Sequence, residues 1–158
     1  MKTIAVLSDT HGNYAAIDGI LPILESCDYV FHLGDCFTDM RTYSRILGDR
    51  LICVKGNCDF YGEARYRLAE VEGKRLLLTH GDAFGVKTSL TRLALFAEEQ
   101  RADAVFYGHT HVAAEEYRNG ILFVNPGSLD RLNVSKSFAY AVVAENKITC
   151  CHNRAIKG

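Results

Sequence analysis

With 158 residues, 48% of them hydrophobic, the chain has enough apolar side chains to build one domain with its own core, expected over residues 1–158. A formal net charge of −1 leaves no basic footprint for general nucleic-acid binding, so a nucleic-acid partner is disfavoured. The first apolar run, Ile4-Ala5-Val6-Leu7, is too short for a signal peptide, and no later run could span a bilayer; a cytoplasmic protein without a membrane partner is expected.

Residues 2–8 read as a buried strand, because that apolar run is continuous rather than alternating. The strand ends at Ser8-Asp9-Thr10-His11-Gly12-Asn13. A helix follows, its apolar face drawn by Ala16, Ile17, Ile20, Leu21 and Leu24, with Pro22 expected to kink or shorten it. Residues 29–33 form a second buried strand that ends at Gly34-Asp35, and a helix is expected over 39–47 with Thr38 as its cap. Residues 51–55 form the third strand, ending at Gly56-Asn57-Cys58-Asp59. Strands over 65–72 and 74–79 pair around Glu72-Gly73-Lys74 and deliver His80-Gly81-Asp82. A helix over 88–100 carries the stripe Leu90, Leu93, Ala94 and Ala97. The buried strand 104–107 then runs into Gly108-His109-Thr110-His111. Short strands over 112–118, 121–124, 137–143 and 147–152 complete the chain, with turns at Asn119-Gly120 and Asn146.

The mixture of strand–helix alternation and a later run of short strands predicts an α/β fold of two packed mixed sheets with helices on their outer faces, four layers in all. Alternation lays the early strands parallel, so their C-terminal ends share one edge, where ligand sites of open α/β sheets form. Five strand ends carry a metal-competent residue: Asp9 with His11, Asp35, Asn57, His80, and His109 with His111. His109 and His111, at i and i+2, project alike if the backbone there is extended, and Gly108 permits a close approach before them. Seven such residues exceed the four of a tetrahedral site and point to two metals, which hydrolytic sites hold about 3.5–4 Å apart. Imidazole mixed with carboxylate and amide oxygen suits Mn, Fe, Co or Zn better than Ca; Mn is the expected metal, with Zn, Fe, Co or Ni as alternatives. The six cysteines (Cys27, Cys36, Cys53, Cys58, Cys150, Cys151) contain no Cys-x-x-Cys pair and read as reduced thiols; Cys150-Cys151 carries no functional reading.

Asp9-x-His11, Gly34-Asp35, Gly56-Asn57-x-Asp59, His80 and Gly108-His109-x-His111 resemble, in order, the motif series of the calcineurin-like metallophosphoesterases, and the short chain is similar to their small prokaryotic phosphodiesterase branch. The resemblance implies that Asp9, His11, Asp35 and His111 hold one metal. It implies that Asp35 bridges to a second, completed by Asn57, His80 and His109. A hydroxide between the metals would attack phosphorus in line, with no covalent intermediate. Catalytic roles are implied for Asp35, Asn57, Asp59 and His109, and Asn57 and Cys58 are expected against the substrate, a small or activated phosphodiester. One departure stands out. Many relatives have His where this chain has Cys58, and that His is thought to protonate the leaving group; a thiol, with an ordinary pKa of about 8.5, is a weak replacement.

Taken singly, each motif has a plain reading: Asp9 as a helix cap, Asn57 as a turn residue, His80 or His109 as a core histidine. His32 reads as structural. Asn125-Pro126-Gly127-Ser128 reads equally as a pocket loop or a plain turn, and Lys55, Lys87 and Arg131 receive no role. The alternative function is an interaction scaffold resembling the retromer subunit of the same family, which is free to lose ligands; this chain keeps all seven. A nuclease would want a basic groove, and a protein phosphatase more chain for its substrate. If a homo-oligomer forms, pairing of the strands within 112–124 is the expected route.

Overall fold

The first strand, β1 (Lys2–Leu7), turns Ile4 and Val6 to one face and Ala5 and Leu7 to the other, and all four are fully buried, so both faces of its sheet are covered. A computed structural model describes residues 1–155; of the expected domain 1–158, residues 156–158 lie outside the described residues. The first sheet joins β1 to β2 (Tyr29–His32), β3 (Leu51–Cys53), β9 (Ser137–Ala144) and β10 (Lys147–Arg154) in the order β10-β9-β1-β2-β3. The second joins β4 (Tyr66–Val71), β5 (Lys74–Thr79), β6 (Ala104–Tyr107), β7 (Ala114–Arg118) and β8 (Ile121–Asn125) in the order β4-β5-β6-β8-β7. Strands β1, β2 and β3 run parallel, as do β5, β6 and β8, while β4, β7, β9 and β10 pair antiparallel with their neighbours.

Ile4, Val6 and Phe31 of one sheet pack with Leu76, Leu78, Phe106 and Val124 of the other in a single apolar layer. Within it Phe31 meets Phe106 edge to face, ring centroids 5.9 Å apart. The outer face of the first sheet packs on α1 (Tyr14–Ser26) and on the segment that ends in α2 (Ser44–Leu47), and that of the second on α3 (Thr91–Glu99). The result is the four-layer arrangement expected from the sequence. No helix among the described residues is long and apolar enough to cross a membrane.

The departures from the expected elements are confined to one segment and a few boundaries. Residues 37–43 form a 3-10 helix (Phe37–Tyr43) and only Ser44–Leu47 is α-helical, in place of a single helix over 39–47. The three-residue period places Phe37, Met40 and Tyr43 on one buried face, and Cys36, in the left-handed region at φ 65°, starts the segment, so Thr38 caps nothing. Helix α1 runs through Pro22, which is exposed, and the Asn13 side chain caps it by accepting from the Ala16 N–H at 3.3 Å. Strand β3 stops at Cys53 rather than 55, α3 begins at Thr91 rather than 88, and β7 begins at Ala114 rather than 112.

Candidate metal centre

The parallel strands of both sheets end at one edge of the sandwich. There β1 delivers Asp9 and His11, β2 Asp35, β3 Asn57, β5 His80, and β6 His109 and His111. Two groups of three result, Asp9–His11–His111 and Asp35–His80–His109, each with its ligand atoms within 4.8 Å of one another. The groups adjoin: Asp35 Oδ2 lies 3.4 Å from His80 Nε2 and 3.8 Å from His11 Nε2, and Asp9 Oδ1 lies 3.0 Å from His111 Nε2 and 3.9 Å from His80 Nε2. Asn57 is exposed on the neighbouring loop, its amide nitrogen donating toward the Cys58 sulfur at 3.7 Å.

His109 and His111 are not extended. Both have positive φ, 70° and 63°, as do Asp9, His11 and Asp35, so five of the seven expected ligands sit in the left-handed region. Each such residue without a glycine costs about 1–2 kcal/mol, and this strain is concentrated where the candidate ligands converge. The turns explain why His109 and His111, two residues apart, serve different groups. Gly108 and Gly56 permit the close packing. A Cβ on Gly108 would overlap the Ser8 hydroxyl and sit 2.9 Å from Asp9 Oδ2, and one on Gly56 would overlap the Asp35 carboxylate.

The donor chemistry fits divalent cations. His80 Nδ1 lies 2.9 Å from the Leu33 carbonyl, which can only accept, so Nδ1 carries a proton and Nε2 is the nitrogen that faces the site, free to coordinate when neutral. His80 Nε2 lies 3.1 Å from His109 Nδ1, close enough for the two nitrogens to share a proton or face one cation. Charges follow the same logic. Burial works against the Asp35 carboxylate, but the hydrogen bond and charge of His80, with the Cys58 N–H, outweigh it and hold Asp35 well below the usual carboxylate range. Burial also opposes a charged His80, yet the Asp35 hydrogen bond and the Asp9 charge raise its pKa overall. The Asp9 hydrogen bond raises His111, while burial and the neighbouring His80 lower His109. The centre stabilises positive charge among its carboxylates.

A ring of buried polar groups positions the candidate ligands, and several of its members carry no distinct signal in the sequence. Ser8 Oγ donates to Asp9 Oδ2 at 2.5 Å, Ser128 Oγ to the Asp9 carbonyl at 3.0 Å, and Asn125 Nδ2 to the Gly108 carbonyl at 3.1 Å. Pro126 and Gly127 lie buried between Asn125 and Ser128, so this loop braces the ligand turns. Asp39 accepts from the Thr10 hydroxyl at 2.7 Å and the Gly12 N–H at 2.8 Å. His32 is buried between Thr10 Oγ1 (3.0 Å) and the Gly34 N–H (3.1 Å), and burial lowers its pKa to about 4, which keeps it a neutral structural residue. The available signal was polar residues at otherwise buried positions next to motif residues. Periodicity could not separate them from turn formers.

Asp59 binds backbone. Its carboxylate accepts the N–H groups of Asp35 (2.8 Å), Cys36 (2.8 Å) and Gly56 (2.9 Å), clamping the β2 and β3 loops together. The Cys58 N–H donates to Asp35 Oδ1 at 2.8 Å, and the thiol is exposed. Partial burial and then the Asp35 charge raise the Cys58 pKa, so it stays a thiol at neutral pH. All six cysteines are free.

Residues 1–147 match the calcineurin-like phosphoesterase superfamily domain. The chain is 34% identical over 142 residues to the probable metallophosphoesterase YsnB of Bacillus subtilis, covering 89% of this chain and 82% of that one. It is 29% identical over 154 residues to the phosphodiesterase YfcE of Escherichia coli K12, covering 82% and 80%. A crystal structure of a phosphoesterase-like protein from Streptococcus pneumoniae TIGR4 superposes with a TM-score of 0.82 at 28% identity, covering 99% and 91%. The Zn-complexed Vps29 of Entamoeba histolytica shares the fold at 22% identity and a TM-score of 0.76, covering 96% and 98%.

Proposed function

Because the chain belongs to the calcineurin-like phosphoesterase superfamily, we propose that this enzyme is a cytoplasmic two-metal phosphodiesterase acting on a small or activated phosphodiester. The observation that carries the reading is the adjoining pair of ligand groups, with Asp35 Oδ2 within 4 Å of a histidine nitrogen from each. Asp9, His11, Asp35 and His111 would hold one divalent cation. Asp35, Asn57, His80 and His109 would hold the other, Mn before Zn, Fe, Co or Ni. When bound, the pair supplies Lewis acidity at the phosphoryl oxygens and an acidified water for in-line attack on phosphorus. Leu33 and Ser8 orient His80 and Asp9, and Asp59 holds the loop that presents Asp35. Cys58 stands where the resemblance places the leaving-group acid, and as a thiol of raised pKa it favours substrates whose leaving group needs no proton.

The test is hydrolysis of a nitrophenyl phosphodiester and a nitrophenyl phosphomonoester by metal-stripped protein, with Mn, Co, Zn, Mg or no metal returned. Metal-dependent turnover of the diester, lost in Asp35→Asn, is the expected result. One observation favours a second reading, the interaction scaffold: Phe60 and Tyr61, 90% and 69% exposed, stand directly after Asp59. Two bound metals with neither ester hydrolysed would put that reading first.

A further inference from the structure

His111 faces two environments. Its Nε2 lies 3.0 Å from Asp9 Oδ1, and the same residue lines a cavity of about 590 Å³ that also takes in residues 132–135 and the end of β10. The apolar lining is Val112, Leu132 and Val134, which are 64%, 89% and 100% exposed, so three large apolar side chains stand in water around one opening beside a ligand histidine. Apolar surface gathered in this way gains by being covered.

The loop that carries it is tied to the metal centre. Asn133 Nδ2 donates to the His111 carbonyl at 3.2 Å and to the Ser135 carbonyl at 3.0 Å, and Lys136 Nζ donates to the Asn133 carbonyl at 3.1 Å. Leu132 and Val134 are therefore held in register with the backbone of His111. The polar lining suits a flat group. His152 donates its Nε2 proton to the Asn125 carbonyl at 2.7 Å and so offers its ring, and Arg154 adds a guanidinium, which stacks on aromatic faces. The volume lies within the range of about 300–1,000 Å³ typical of small-molecule sites and exceeds what a phosphate alone would fill.

We propose that this cavity seats one ester group of the phosphodiester, and that the group it takes is apolar and aromatic. The proposal rests on the phosphodiesterase reading and deepens it, since His111, a candidate ligand, lines the same cavity as Val112, Leu132 and Val134.

The experiment is calorimetric binding of phenyl phosphate, methyl phosphate and inorganic phosphate to the Mn-loaded protein. It compares wild type, the double variant Leu132→Ser/Val134→Ser, and Leu95→Ser, an exposed leucine on α3 as control. Both cavity side chains are so exposed that serine does not threaten the fold. Phenyl phosphate should bind about tenfold more tightly than methyl phosphate to the wild type and to Leu95→Ser, a gap that burial of a modest apolar area supplies. In the double variant the gap should close. Equal binding of the two esters by the wild type, or a gap that survives in the double variant, overturns the proposal. The underlying reading fails separately, if the wild type shows the phenyl-to-methyl gap but hydrolyses no diester with metal bound; absence of binding by all three phosphates sinks both.

Discussion

Replacing Asp59 by Asn tests whether this carboxylate positions the centre or takes part in proton transfer. The side chain accepts three backbone N–H groups, from Asp35, Cys36 and Gly56, all within 2.9 Å. Hydrogen bonds to a charged group contribute about 1.5–3 kcal/mol each. Asn keeps one acceptor oxygen. Placed at the Oδ2 position it retains the Asp35 and Gly56 bonds as weaker neutral ones, while its amide turns a donor toward the Cys36 N–H. Asp35 and Cys36 both have positive φ, 61° and 65°, and lose part of what holds them there. The net cost is about 2–4 kcal/mol, or a fall in Tm of about 5–15 °C at this chain length. Misplacing Asp35 should weaken metal binding about 10–100-fold, as loss of an orienting group does at other metal sites. Thermal unfolding of metal-free protein and calorimetric metal titration read the two effects, and a kcat/KM profile against pH reads the third, which should drop without moving along the pH axis. An Asp59→Asn protein with wild-type stability and metal affinity but no activity, or with a shifted pH profile, would refute the positioning role and restore Asp59 as an acid or base.

Gly108→Ala should lower metal affinity at least tenfold, because its methyl group would overlap the Ser8 hydroxyl that orients Asp9; metal titration checks it. Phe106→Ala removes a fully buried ring from between the sheets, and urea denaturation should record a loss of about 3–5 kcal/mol. His32 makes a pH prediction. Its pKa falls from 6.5 to about 4 on folding, so below pH 6.5 the unfolded chain binds a proton that the folded chain refuses. The stabilisation is fully present above pH 6.5 and is lost as pH falls toward 4, by about 3 kcal/mol in all. Metal-free His32→Gln should show a correspondingly shallower fall in urea stability across that window. A slope equal to that of the wild type would show that other groups carry the acid sensitivity.

The succession of strands and helices along the chain, the edge at which they deliver Asp9, Asp35, Asn57, His80 and His109, and the four layers were all legible in the chain, because continuous apolar runs closed by Gly and metal-competent residues are local signals. The 3-10 segment over Phe37–Tyr43 was not. Its three-residue period of Phe37, Met40 and Tyr43 resembles a short α-helical face, and only burial against the first sheet tells the two apart. Nor could spacing show that His109 and His111 turn to separate groups, since their left-handed backbone is held by contacts with Asp9, 100 and 102 residues away in sequence. Asp59 shows the same division. Its motif position marked it as belonging to the site, but which atoms it binds depends on two loops that meet only after β2 and β3 pair. Local pattern determines which residue types reach the site edge; the directions in which they point depend on the packing of two sheets, and so on contacts that exist only in the folded chain.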